Sequence, residues 1–84
     1  MYKNLIKSYV NKIKPEDVID YGKKEGVDVT LEEATLFVET VKANADYILV
    51  GHAYEVLESI KNKISTPAYQ KLEELLAKYQ KFIN

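Results

Sequence analysis

The sequence predicts an all-α fold, a compact bundle of about five short helices in a single domain over residues 1–84. Apolar residues recur at the three- and four-residue spacing of amphipathic helices along most of the chain, and helix start and stop signals separate these periodic segments. The chain has only three Gly and two Pro, and its 46% hydrophobic and 30% charged residues are typical of a globular domain. The predicted helices span residues 2–13, 15–25, 31–44, 49–64 and 67–82.

The best-marked part of the chain is an elbow between the second and third predicted helices. The second helix begins with Pro-Glu-Asp at residues 15–17. Proline suits the first helical position, and acidic residues are favoured at the positive end of the helix dipole. Because Lys14 is a poor N-cap, this start depends on the proline and the acids. We expect Gly26 to adopt the left-handed conformation that ends the helix.

The third predicted helix begins with a capping box, Thr30-x-x-Glu33. Val29 precedes the cap, and we expect it to pack on Ala34 as a hydrophobic staple that sets the angle between the two helices. The residues predicted to face inward are Leu31, Ala34, Phe37, Val38, Val41 and Ala45.

The start of the fourth predicted helix has two interpretations. Residues 47–50 form the apolar run Tyr-Ile-Leu-Val before Gly51. This run fits either a helix capped by Asp46 or an extended connection packed on the core, and we place the start near Leu49. The last helix is better marked, because Thr66-Pro67 supplies an N-cap followed by a first-turn proline.

The net charge of −1 conceals an uneven distribution along the chain. Residues 1–14 carry four Lys and no acid, residues 15–60 carry eleven acids against three Lys, and residues 61–84 carry five Lys against two Glu. The three segments therefore have net charges of +4, −8 and +3. All twelve basic residues are Lys. This composition argues against functions that depend on bidentate binding of phosphate or guanine by Arg.

Composition excludes several other classes of protein. The chain has no cysteine, so disulfides, thiolate metal sites and cysteine nucleophiles are absent. The apolar run at 47–50 is far shorter than a membrane span, and residues 1–14 lack the continuous apolar core and cleavage site of a signal peptide. We therefore expect a cytoplasmic protein.

Several segments resemble one family. Residues 15–21 (Pro-Glu-Asp-Val-Ile-Asp-Tyr), residues 26–30 (Gly-Val-Asp-Val-Thr) and then Glu33-Ala34 resemble the pattern TPEELLxYAKxYGIxIT…A of short, uncharacterised YqfT-like proteins of low-GC Gram-positive bacteria. Residues 64–67 (Ile-Ser-Thr-Pro), which enter a Leu-rich last helix, look like the C-terminal segment of those proteins.

The resemblance spans nearly the whole chain, but its motifs are helix caps and core positions. This sequence departs from the pattern at Lys14, where the pattern has Thr, and at the more apolar residues 47–50. The family is a domain of unknown function. The resemblance therefore implies an all-α bacterial cytoplasmic protein and no activity.

Two helices joined by an elbow also suggest a helix-turn-helix. With Gly26 in the turn, Gly22 and Val27 fit the usual small and apolar positions, whereas later positions that should be buried fall on Glu32 and Thr35. The helix that would read DNA is also acidic, so phosphates would repel it. We do not expect this elbow to recognise DNA.

His52 is the only histidine, and Glu55 follows it by one helical turn. A His-x-x-Glu pair can present two metal ligands, but a di-metal bundle needs further inward carboxylates and a second such motif. A histidine at the edge of the core, or a partner contact, is therefore favoured. The sequence has no nucleophile motif and no phosphate-binding Gly-rich loop. We predict no enzymatic activity and no cofactor.

The leading functional hypothesis is a non-enzymatic interaction module that docks a protein partner or self-associates through the last helix and the face of the fourth helix. Near the lower size limit for a stable single core, a small domain gains stability by burying surface in a partner or a second copy. The last helix carries an apolar stripe, and the residues predicted to form the interface are Leu72, Leu76, Tyr79 and Phe82.

The alternative hypothesis is a weak, sequence-independent nucleic-acid binder. Its predicted contacts are lysines of the first and last helices, namely Lys3, Lys7, Lys14, Lys71 and Lys78. These lysines alternate with tyrosines that could stack on bases. The hypothesis requires the two terminal helices to be neighbours, so that their lysines form one positive field.

Overall fold

The computed structural model describes the backbone of residues 11–80 and the side chains of residues 11–78. The described helices are α1 (Pro15–Lys24), α2 (Leu31–Ala43), α3 (Ala45–Leu49), α4 (Ala53–Glu58), a 3₁₀ helix (Lys61–Lys63) and α5 (Thr66–Gln80). Residues 11–80 contain no β-strand, and the predicted all-α fold is confirmed. The predicted helix 2–13 lies outside the described residues except for its end, where residues 11–12 are helical.

The start of α1 has the predicted local structure. Pro15 is the first helical residue, and the Asp17 carboxylate accepts a hydrogen bond from the backbone N–H of Lys14 at 3.0 Å. Lys14 itself contributes no capping side chain. The acid at the third helical position therefore forms the reciprocal half of a capping box, in which it satisfies the N–H of the residue before the helix.

The end of α1 is a Schellman motif. Gly26 has a φ of +76°, and its N–H donates to the Lys23 carbonyl at 3.1 Å. The Val27 N–H reaches back to the Gly22 carbonyl at 2.8 Å. These are the two hydrogen bonds that define the motif, and the left-handed glycine makes them possible without a Cβ penalty.

The capping box of α2 is formed as predicted. The Thr30 hydroxyl accepts from the Glu33 N–H at 3.1 Å, and the Glu33 carboxylate accepts from the Thr30 N–H at 3.0 Å. Val29 and Ala34 are both buried at the same helix start. The staple and the cap together fix the direction in which α2 leaves the elbow.

Glu33 also ties α2 to the start of α5. Its second carboxylate oxygen accepts a hydrogen bond at 2.8 Å from the backbone N–H of Ser65, the residue before α5. Burial raises the pKa of the Glu33 carboxyl, but the hydrogen bonds from Ser65 and Thr30 together outweigh burial and hold the pKa below its ordinary value. The ionised carboxylate therefore stabilises a contact between residues far apart in sequence.

We expect Glu33→Gln to lower the free energy of unfolding by about 1–2 kcal/mol at pH 7, because a neutral amide has only one acceptor oxygen for two N–H donors. Since folding lowers the pKa, the contribution is fully present above the unfolded pKa of about 4 and is lost as the pH falls through the lower folded value. Urea unfolding of the wild type and of Glu33→Gln at pH 7 and at pH 3 measures this contribution to the free energy of unfolding.

The matched control for this prediction is Glu32→Gln, which removes the same charge from the same first turn. Glu32 is exposed, so its replacement should change stability by only a few tenths of a kcal/mol. Equal effects of the two substitutions, or a Glu33→Gln effect that is as large at pH 3 as at pH 7, would contradict the role given to Glu33.

The predicted helix 49–64 is divided, and this is the main difference from the sequence-based expectation. Residues 47–49 belong to the short helix α3, which ends before Gly51, whose φ is +98°. The His52 N–H donates to the Tyr47 carbonyl at 3.0 Å and the Gly51 N–H to the Ile48 carbonyl at 3.1 Å. This second Schellman motif reverses the chain between α3 and α4, so the helical period does not continue across Gly51.

The core lies between α2 and its neighbours. α2 packs against α1, α3 and α4, and α5 packs against α1 and α4. Phe37, Ile48, Leu57 and Leu72 are among the largest fully buried side chains. Leu31 is an exception to the predicted inward set, because it is 62% exposed at the first position of α2. None of the helices in residues 11–80 combines the length and apolar character that crossing a membrane requires.

Candidate interaction surface

The structure places two of the predicted interface residues in the core. Leu72 is 1% exposed and Leu76 is 2% exposed, so neither can touch a partner in this conformation. The Tyr79 side chain and Phe82 lie outside the described residues. At Leu72 and Leu76, the apolar stripe of α5 therefore packs on the chain's own core.

A different apolar surface is exposed at the second elbow. Within the described residues, four large apolar side chains expose more than half of their surface: Leu31 (62%), Tyr47 (52%), Val50 (62%) and Tyr54 (55%). Three of them fall in residues 47–54, which form the end of α3, the turn at Gly51 and the start of α4. We call Tyr47, Val50 and Tyr54 the elbow patch.

The sequence explains why this patch is outside the core. In a helix, four consecutive residues are spread around the axis at about 100° per residue, so a run of four apolar side chains cannot all face one side. Ile48 and Leu49 take the inward positions and are buried. Tyr47 and Val50 are left facing outward. This signal was available in the sequence, but it requires residues 47–50 to be helical.

His52 has a structural role in this elbow. Its ring stacks on Tyr47 with ring centroids 4.7 Å apart, and its Nδ1 lies 3.2 Å from a carboxylate oxygen of Glu55. In a Schellman motif, the residue after the left-handed glycine commonly contacts a side chain in the last turn of the helix, as His52 contacts Tyr47 here. The His-x-x-Glu pair thus joins the residue before α4 to the first turn of that helix, and the His52 ring also contacts the exposed Tyr47 ring.

A shallow groove lies beside the elbow patch, between α4 and α5. Its volume is about 350 Å³, and its lining residues are Tyr54, Gln70, Glu73, Glu74 and Ala77. Tyr54 therefore belongs both to the elbow patch and to the wall of the groove. The other wall is provided by α5 and includes two carboxylates.

The electrostatic character of this region is acidic. Burial raises the pKa of the Tyr69 hydroxyl, and the negative charges of Glu73 on α5 and Glu58 on α4 raise it further. Within the described part of the chain, Glu58 and Glu73 form no hydrogen bond or ion pair with another side chain. These two carboxylates are thus available for a cation from outside.

Two of the lysines of the nucleic-acid hypothesis, Lys71 and Lys78, contact other side chains of the chain. Lys71 lies 3.1 Å from Glu74 and 3.7 Å from Glu25. The hydrogen bond to Glu74 is the main cause that raises the pKa of Lys71. Lys14 is exposed before α1. Lys3 and Lys7 lie outside the described residues.

Lys78 has a separate partner. Its ammonium nitrogen lies 4.7 Å from the centroid of the Tyr21 ring, a cation–π contact between α5 and α1. The Tyr21 hydroxyl is buried and has no hydrogen-bond partner within the described part of the chain. Tyr21 also lines a second shallow cavity, with Asp17, Asp20 and Lys24 on its α1 side.

The fold and these surfaces define a small all-α domain with an exposed apolar elbow. Within the described residues, no group of three His, Cys, Asp or Glu side chains could hold a metal ion. A family model described as a protein of unknown function, DUF2624, matches residues 1–80. The chain belongs to this family. Neither a curated protein nor a solved structure matches the chain.

Proposed function

We propose that this protein is a non-enzymatic interaction module that docks a protein partner, or a second copy of itself, through the elbow patch. The observation that carries the proposal is the concentration of exposed apolar surface in residues 47–54. Scattered single apolar residues are normal on a protein surface, whereas three of the four large exposed apolar side chains in the described part of the chain fall within eight residues, and exposed apolar patches are typical of interaction sites.

The side chains of the patch suit this role. Tyrosine buries a large ring at a small cost in conformational entropy and keeps a hydroxyl for a hydrogen bond, and it is enriched at the energetic centres of interfaces. The stacking of His52 on Tyr47 holds one of these rings in place before a partner arrives. A preorganised ring loses less freedom on binding.

The proposal is tested with Val50→Ser and its matched control Leu31→Ser. Val50 and Leu31 are each 62% exposed, but Leu31 lies at the start of α2, outside the elbow patch. Tagged wild type and both variants are used to capture partners from cell lysate, and each protein's mass is measured by light scattering. We expect Val50→Ser to capture at least fivefold less partner, or to shift an oligomer to a lower mass.

Leu31→Ser should behave as wild type in both measurements, and all three proteins should show the same helical content by circular dichroism. Undiminished capture and unchanged mass for Val50→Ser would overturn the elbow patch as the interface. Equal losses for the two variants would do the same, because they would show a general effect of surface hydrophobicity.

The proposed source of the protein and the alternative function determine the design of the partner-capture experiment. From the resemblance to YqfT-like proteins, we retain low-GC Gram-positive bacteria as the source of the lysate and a cytoplasmic location. The alternative function, nucleic-acid binding through the lysines, is tested by a nuclease-treated portion. Bound material that disappears with nuclease and is indifferent to Val50→Ser would favour the lysines.

A further inference from the structure

Acidic residues are concentrated in the segments that form the elbow patch and the groove. Residues 45–60 carry three acids, Asp46, Glu55 and Glu58, and no lysine. Across the groove, α5 adds Glu73 and Glu74. Apolar surface bordered by charge of one sign favours partners of the opposite charge, because the charges at the border steer the encounter and repel partners of like charge.

Two lysines near the groove are engaged with other side chains of the chain. The Lys71 ammonium is already bound by Glu74 and Glu25. The Lys61 ammonium lies over the Tyr69 ring at 5.8 Å from its centroid. Lys71 therefore neutralises Glu74, whereas Glu58 and Glu73 have no lysine partner within the described residues.

A second copy of the chain is a poor occupant for this surface. A two-fold symmetric dimer brings the same patch of each subunit together. Such a dimer would place the Glu55, Glu58 and Glu73 carboxylates of one copy near those of the other. Like charges brought together across an interface cost several kcal/mol unless something neutralises them. Charge complementarity therefore favours a different, basic chain.

We propose that the elbow patch and the α4–α5 groove bind a basic amphipathic segment of a partner protein. This inference rests on the proposed function and adds the chemistry of the partner. An apolar side chain of the segment packs on Tyr54 and Val50, and lysine or arginine side chains beside it pair with Glu58 and Glu73. The apolar contact provides most of the affinity, and the carboxylates select the sign of the partner's charge.

The test uses two synthetic peptides, an amphipathic helix made of leucine and lysine and its twin in which every lysine is glutamate. Binding of each labelled peptide to the full chain is followed by fluorescence anisotropy at low and high salt. We expect the Leu–Lys peptide to bind at least tenfold more tightly than the Leu–Glu peptide, and its affinity to fall as salt is added.

The charge-neutralising variant is Glu58→Gln/Glu73→Gln, and its matched control is Glu32→Gln/Glu39→Gln, which removes two exposed carboxylates from α2. The first variant should weaken Leu–Lys binding about threefold to tenfold and flatten its salt dependence. The control should change binding less than twofold. Equal weakening by both variants would overturn the inference, because it would show an effect of net charge alone.

The outcomes separate this inference from the proposed function. If both peptides bind equally and Val50→Ser weakens both, the elbow patch is an interface without charge selection, and only the basic partner is overturned. If neither peptide binds, the basic partner is overturned, and the capture experiment with Val50→Ser decides the proposed function separately. If the Leu–Lys peptide binds and Val50→Ser leaves its affinity unchanged, the peptide binds elsewhere and the basic partner at the elbow patch is overturned, and the capture experiment again decides the proposed function.

Discussion

Phe37→Ala should strongly destabilise the protein and lower the urea concentration at which half of it is unfolded. Phe37 is 0% exposed in the middle of α2, the helix that packs against α1, α3 and α4. Truncation of a buried phenylalanine costs about 3–5 kcal/mol, from lost hydrophobic transfer and from the cavity that remains. Domains of this size have total stabilities of roughly 4–13 kcal/mol, so the loss consumes a large part of the total. Urea unfolding followed by far-ultraviolet circular dichroism measures it.

The control for this prediction is Phe37→Leu, which keeps most of the side-chain volume and should cost about 1 kcal/mol. The difference between the two variants isolates the cavity. A Phe37→Ala protein with nearly wild-type stability would show that the helices around Phe37 move together to fill the space. That result would contradict a core organised around α2.

The first elbow could be predicted residue by residue because its determinants are local. The cap at Thr30 and Glu33 and the left-handed Gly26 depend on hydrogen bonds between residues a few positions apart. Local spacing in the sequence encodes such bonds directly. The bond from Ser65 to Glu33 spans 32 positions, and no local pattern could have revealed it.

The second elbow could not be predicted with the same accuracy. A glycine after an apolar run fits the end of a helix, and it also fits a continuous helix with one weak position. The hydrogen bonds from Gly51 and His52 back into α3 decide for the first possibility. The exposure of the elbow patch depends on the end of α3 before Gly51. Because the sequence did not predict that helix end, it did not predict the elbow patch either.

The α5 stripe shows the limit of periodicity for predicting an interface. Apolar residues at helical spacing indicate that one face of a helix is buried, but they do not tell whether the chain itself or a partner covers that face. Leu72 and Leu76 are covered by the chain. Exposed apolar surface is a property of the three-dimensional packing, and the burial of each side chain is needed to find it.

Gly22→Ala should destabilise the protein by about 2–3 kcal/mol, although alanine is ordinarily favoured over glycine inside a helix by about 1 kcal/mol. A Cβ added at Gly22 would lie 2.7 Å from Cγ2 of Val29 and 2.8 Å from the carbonyl oxygen of Val27. The segment after α1 passes so close to Gly22 that the new methyl group must push Val27 and Val29 away from the helix. That displacement strains the 2.8 Å hydrogen bond from the Val27 N–H to the Gly22 carbonyl.

Lys23→Ala is the control in the same helix, because Lys23 is exposed and its replacement should change stability by less than about 0.5 kcal/mol. The steric cause is tested by repeating Gly22→Ala in a Val29→Ala background, where one of the two close contacts no longer exists. Gly22→Ala should then cost about 1 kcal/mol less, since the Val27 carbonyl remains in the way. Stabilisation by Gly22→Ala in the wild-type background would contradict this prediction, because it would show that Val27 and Val29 leave room for a methyl group at Gly22.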